Sequence, residues 1–245
     1  MLIIGVDCAV SPKNVGISVL DYSGKKFLPV PSNPDPSKTL LHILEANPSR
    51  KTLLCLDAPL GWPSTFAPGL IGHSAGEYLG NTLDSFFKRD TDLFCYYLLK
   101  KIPLDVASDK IARTTYKTLE MLNAIRVRYP YLKMLWDPQE KYELGFIEVY
   151  PAAWLVSELI TPHVTSYKGT KDIHQARRME MLERIQRNGM DMSVLEKRMI
   201  EDEHFFDACV CCLCGMDFVD LRAIKPFPQL TSVKKEGWIW LKPVI

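Results

Sequence analysis

The chain has 245 residues, 47% of them apolar, and a formal net charge of +1, a balance that suits one globular core with or without an insertion. Such near-neutrality excludes a protein that grips nucleic acid over its whole surface, though not one with a local basic cleft. Seven cysteines make an odd number without a small loop-rich scaffold, so reduced thiols in the cytosol are expected instead of a disulfide framework.

The opening MLIIGVDCAV meets Asp7 after an apolar start and has no basic leader, so it reads as neither signal peptide nor membrane span. Leu2–Asp7 reads instead as a buried central strand ending in an acid. Val15–Tyr22 is a second strand, and the turn SPKN makes the first two an antiparallel hairpin; a third runs through FLPV after SGKK. SKTLLHILEAN reads as a helix capped by Ser37, with Leu40, Leu41 and Leu44 at helical spacing. In KTLLCLDAPLGWP, Leu53–Leu56 is another buried strand ending in an acid, Asp57, and stopped by Pro59, Gly61 and Pro63.

From about 74 to 139 the pattern is mainly helical, with Ile111, Leu119, Leu122 and Ile125 sharing a face and Pro130 as the stop. LGFIEVYP is an apolar strand containing Glu148. A helix AAWLVSELI, a loop TSYKGT and a helix from Asp172 to Gly189 follow. SVLEKRMIEDEHFFDACVCCLCGMDFVDL reads as helical throughout, and EGWIWLKP as an aromatic strand or extended tail. Hairpin strands followed by strand–helix alternation predict a mixed α/β sheet layered with helices.

HFFDACVCCLCG raises a choice between a metal cluster and a buried helix. At about 100° per residue, His204, Asp207, Cys211 and Cys214 share a stripe while Phe205, Phe206, Val210 and Leu213 fill other faces. Such a helix is buried all round. Its two C-x-x-C spacings lie inside the helix, whereas zinc pairs come from turns and redox pairs open a helix. The cysteines are therefore expected to be packing, and Asp207 to need a basic partner or a metal ion.

Asp7, Asp57 and Glu148 sit in or at the end of apolar strands, as Asp207 sits in an apolar helix. Taken singly, such acids serve turns or caps. Brought together, they would repel unless a cation neutralised them. Hard oxygen ligands suit Mg2+ or Mn2+, and two such ions about 3.5–4 Å apart promote in-line displacement at phosphorus.

The order GVD, CLDAP, EVYP and HFFDA resembles the RNase H-like superfamily, and within it the RuvC-type resolvases, whose last helix bears D-x-x-D or H-x-x-D. A fuller resemblance is to the domain of unknown function 429, a family of predicted RNase H-fold nucleases. It rests on Gly5–Ala9, Asp57–Pro63, Glu148–Ala153, Tyr167–Lys168, His204–Ala208 and Glu236–Trp240. The resemblance implies one RNase H-like domain over 1–245, with a mixed five-stranded sheet flanked by helices and a helical insertion at about 74–139. It places strand one beside strand four, so that Asp7 and Asp57 meet and Asp207 approaches from the covering helix.

By the same resemblance Asp7, Asp57, Asp207 and His204 are the metal ligands. His204 stands where an acid is usual and is alternatively a proton carrier. Glu148 either joins the site or pairs with Lys168 behind it. Lys168 would hold a phosphate or developing charge, its plain alternative being an exposed loop lysine; Lys13 has similar standing. The implied protein is a cytosolic, metal-dependent nuclease acting on RNA or DNA, with no membrane partner and an open oligomeric state that allows a dimer.

Two rivals are a catalytically silent binding protein of the same fold and an ATP-dependent enzyme of the actin–sugar-kinase type. For the latter, DCAVSPKNVG has one glycine and lacks the D-x-G-T order. The basic runs KTLEMLNAIRVR and HQARRMEMLERIQR are interleaved with acids and read as solvated helix faces. Phe86, Phe87, Tyr96 and Tyr97 suit either base stacking or packing within the insertion.

Overall fold

The computed structural model describes residues 1–31, 33–80, 82–107, 109–159, 167–186, 192 and 195–243. Its sheet grows from β1 (Leu2–Asp7), which is buried along its whole length. β1 pairs antiparallel with β2 (Gly16–Asp21), which pairs antiparallel with β3 (Lys26–Leu28). On its other edge β1 pairs parallel with β4 (Thr52–Asp57). β5 (Lys133–Met134) and β6 (Leu144–Glu148) complete the sheet in the order β3-β2-β1-β4-β6-β5, with β4, β6 and β5 parallel.

The hairpin-then-parallel architecture is the expected one, but the sheet has six strands where five were expected. The extra strand, β5, is a two-residue edge inside the stretch read as helical. Two residues are too few to leave a periodic signal.

Helix α1 (Pro36–Glu45) follows β3. Its cap is Asp35, not the expected Ser37: the Asp35 carboxylate accepts from the Ser37 N–H at 2.9 Å, and Pro36 opens the helix. Between β4 and β5 lie α2 (Phe66–Leu70), α3 (Leu83–Phe87), α4 (Asp90–Leu99) and α5 (Asp109–Arg128). The insertion is thus a set of separate helices with irregular breaks. On α5 the buried face is Thr115, Thr118, Met121, Leu122 and Ile125, with Ile111 and Leu119 only partly covered.

The remaining helices are α6 (Pro151–Leu159), α7 (Asp172–Gln186), α8 (Glu196–Glu201), α9 (Glu203–Val219) and α10 (Val233–Glu236). Ile160, Gly189 and the Thr165–Ser166 part of the expected loop lie outside the described residues. The stretch expected to be helical throughout is broken at Asp202, which leaves helical geometry and caps α9 by accepting from the His204 and Phe205 N–H groups. Acids are common within helices as well as at their caps, which hid this break.

Alternate residues of β1 feed two cores, as strand geometry requires. Ile3, with Leu53, Cys55 and Ile147, packs in the core that contains α9. Leu2, Ile4 and Val6, with Leu54 and Leu56, pack with apolar residues of α1 and α5. A Cβ at Gly5 would fall 1.9 Å from the Ala208 carbonyl oxygen, so the missing side chain is what lets α9 lie against β1. The terminal Trp238–Trp240 segment is buried beside the end of β6, where the Trp240 N–H donates to the Glu148 carbonyl at 3.1 Å. Among the described residues no helix is long and apolar enough to cross a membrane.

Candidate active site

Parallel pairing of β1 with β4 sets Asp7 directly beside Asp57, each the last residue of its strand. Carboxyl ends of parallel strands are where open α/β sheets place their ligands. Asp207, in the second turn of α9, reaches the same point from the covering layer. One carboxylate oxygen from each of Asp7, Asp57 and Asp207 lies within 4.8 Å of the other two. Asp7 is 7% exposed and Asp207 1%.

Burial and crowding set the electrostatics. The Asp57 carboxyl is pushed well above the usual range, first by burial and then by the Asp7 charge, with Lys168 opposing. Burial likewise pushes Asp207 up to about 6 against the pull of Lys168. The Lys168 side chain is 55% exposed, with its ammonium 2.6 Å from Asp207 Oδ2; its partial desolvation would lower its pKa, but the Asp207 and Asp57 charges more than reverse that. The Tyr167 hydroxyl donates to Asp207 Oδ1 at 3.0 Å, so both oxygens of Asp207 are held.

His204 stands behind Asp7, its Nδ1 2.7 Å from Asp7 Oδ2. That hydrogen bond raises its pKa despite partial burial. Among the described residues the metal-competent group is the three aspartates without His204. The expected histidine ligand is therefore a neighbour of a ligand-competent acid in this geometry.

Glu148 does not make the expected pair with Lys168. It is buried and lines the same cavity as Asp7 and Asp57, but its partner is Arg89, not Lys168. Arg89 Nη2 lies 2.8 Å from Glu148 Oε1, and Nη1 donates to Oε2 at 3.0 Å. The same guanidinium binds both oxygens of Asp92 and the main-chain oxygen of Glu236, while the Leu60 N–H donates to Glu148 Oε2. This fork-on-carboxylate geometry is specific to arginine. It ties the end of β6, the start of α4 and the end of α10 together beneath the cavity.

Sequence reasoning missed Arg89, whose position at the start of α4 bears no periodic mark of burial. It also missed Arg178, which lies inside a basic run read as solvated. Arg178 is buried and donates to the carbonyl oxygens of Tyr167 and Gly169, fixing the backbone on either side of Lys168. The other described lysine, arginine and glutamate side chains of those runs are exposed as expected, with surface pairs such as Lys117–Glu120 and Arg177–Glu180, while Met121, Leu122, Ile125, Met181, Leu182 and Ile185 turn inward.

Lys13 is exposed on a short helical turn, Pro12–Asn14. Phe86 is buried against Phe66 and Phe87, whereas Tyr96 and Tyr97 are exposed. All seven cysteines are free, and the four in α9 are fully covered. Cys209 touches Ser18 Oγ and Cys212 touches the Ile3 carbonyl, so these thiols pack α9 onto the sheet.

A family model described as "Protein of unknown function (DUF429)" matches residues 5–228. That span includes Asp7, Asp57, Glu148, Lys168, His204 and Asp207; the terminal Glu236–Trp240 motif lies beyond it. No curated protein and no solved structure matches the chain.

Proposed function

We propose that this chain, which belongs to the DUF429 family, is a metal-dependent nuclease with an RNase H-like fold that hydrolyses phosphodiester bonds of nucleic acid. The observation that carries this reading is the meeting of Asp7, Asp57 and Asp207, which are distant in sequence, within 4.8 Å of one another. Three buried or half-buried carboxylates face one ammonium, Lys168. That all-oxygen, under-compensated donor set fits Mg2+ or Mn2+. The strand order, a hairpin beside parallel strands, supports the RNase H-like assignment.

Bound at the aspartates, a divalent ion would polarise a phosphoryl oxygen and lower the pKa of water. The chain's own groups do the rest. Lys168, held by Arg178 through the flanking carbonyls, is placed to attract a non-bridging phosphate oxygen. Tyr167 keeps Asp207 from turning away. His204 has Nδ1 committed to Asp7, which leaves Nε2 to exchange a proton with water or the leaving oxygen. The free thiols and the absence of a membrane-crossing helix among the described residues are compatible with the cytosolic setting, which is part of this proposal.

One observation favours the silent binding protein: Lys168 already neutralises Asp207 without an ion. The kinase-like reading has less support. The loop from Cys8 to Val15 contains no glycine, and a Cβ at Gly16 would lie 2.0 Å from the His204 carbonyl oxygen, so that glycine serves packing.

The test is cleavage of a panel of single-stranded, duplex, hybrid and branched substrates with Mg2+ or Mn2+. Asp57→Asn is expected to abolish it, and Lys168→Met to slow it by about 10²-fold or more. Equal activity in Asp57→Asn would reject the assignment. Calorimetry showing no Mn2+ binding near millimolar concentration would favour the silent protein.

A further inference from the structure

Beside the aspartates lies a cavity of about 540 Å3, within the range of about 300–1,000 Å3 typical of small-ligand pockets. Its charged part includes Asp7, Asp57 and the Lys168 ammonium; its apolar part includes Leu104, Ile111 and Tyr150. Leu104 and Ile111 belong to the insertion between β4 and β6, not to the sheet. Leu104 is 69% exposed, so the cavity meets solvent beside it. The insertion thus lines the cavity next to the acidic site, with Pro103, Leu104 and Ile111 as its apolar part and Arg89, Lys101 and Thr114 as its polar part.

Those dimensions and that chemistry restrict what can enter. Proteins that track single strands without sequence preference use grooves spanning about 4–16 nucleotides per module. A duplex would have to bring a whole helix, with a major groove about 12 Å wide, up to the acids. A cavity of about 540 Å3 instead suits one nucleotide, with an anionic group at the charged part and a flat ring against the apolar part.

We infer that the site takes one unpaired nucleotide at the end of a single strand, with its phosphate beside Asp7, Asp57 and Lys168 and its base against Leu104, Ile111 and Tyr150. This rests on the nuclease reading and adds a substrate class to it: the enzyme removes terminal nucleotides one at a time. In each step a water oxygen bonds to phosphorus and the bond from phosphorus to the neighbouring nucleotide's oxygen breaks. The water's proton ends on that leaving oxygen, and no other reactant is consumed.

Two measurements separate this inference from the reading beneath it. The first is calorimetric binding of adenosine and uridine 5′-monophosphates in Mn2+. Wild type is expected to bind both, Leu104→Glu and Ile111→Trp to bind at least about tenfold more weakly, and Val127→Glu, on the exposed part of α5, to match wild type. Leu104 is a surface residue, so its variant keeps the test meaningful if Ile111→Trp fails to fold. The second is degradation of linear and closed circular single strands, where mononucleotides from the linear form and a resistant circle are expected.

No mononucleotide binding, or a circle cut as fast as the linear strand, overturns the inference. Binding as expected with no cleavage of any strand removes the nuclease reading and supports the cavity as a nucleotide site. Internal cleavage without mononucleotide binding does the reverse.

Discussion

Arg89 shows how one buried side chain can tie three elements together beneath the candidate site. It is fully buried and compensates two buried carboxylates, Asp92 and Glu148. Removing one partner from such a group leaves uncompensated charge, at a cost of about 3–5 kcal/mol. Arg89→Met is therefore expected to lose that much stability in urea unfolding, and a loss below about 1 kcal/mol would contradict the role assigned here. Arg89→Lys should not rescue it, because an ammonium cannot reproduce the fork. A quieter residue-scale effect concerns acid. The Arg50 hydrogen bond holds the Asp21 carboxyl below its usual range. The folded pKa is lower than the unfolded one, so this contribution is present above the unfolded value and is lost as pH falls through the lowered folded value. Asp21→Asn should flatten the acid limb of a stability–pH profile and leave the neutral-pH slope unchanged; an unaltered acid limb would count against the pairing.

At the scale of elements, α9 is the piece on which both packing and site depend. It lies against β1 because Gly5 has no side chain, and a Cβ there would meet helix backbone, not a movable side-chain end. Gly5→Ala should cost about 3 kcal/mol or more, the upper range for overpacking, and should also weaken Mn2+ binding by displacing Asp207 from Asp7. Thermal melts and metal titration of the same variant read both effects. The cysteines of α9 make a separate prediction. Burial holds the thiols of Cys209, Cys211 and Cys214 well above their usual pKa, so iodoacetamide should leave all of them unmodified until denaturant is added. Stoichiometric zinc, or rapid labelling of native α9, would refute packing as their role. The helix itself was legible in the sequence because an apolar run of this length tolerates few interpretations. Its start was not: Asp202 acts as a cap through the direction of one carboxylate, and the string EDEH does not distinguish a capping acid from a helical one.

For the molecule as a whole, the acidic site is a liability of the bare fold, which a cation, on the proposed reading, would relieve. Asp7, Asp57 and Asp207 repel one another, and their convergence persists because the sheet register and the α9 contact hold it. Without divalent ions, Asp57→Asn should therefore melt higher than wild type. With Mn2+ at about 100 times its dissociation constant the order should reverse, since binding adds about 2.7 kcal/mol to wild type alone. A variant that melts lower than wild type without metal would show that the acids do not strain the fold. The sequence alone determined the strands that end in Asp7 and Asp57, the buried helix bearing Asp207, and the mixed sheet, because apolar periodicity is a local record of which faces are covered. It took the folded arrangement to pair Glu148 with Arg89, 59 residues away, to brace the backbone around Lys168 with Arg178, to form β5, and to line a cavity with the insertion. Those depend on which charges and surfaces meet across space, and a charged residue carries the same letter whether its partner is water, an ion or a guanidinium.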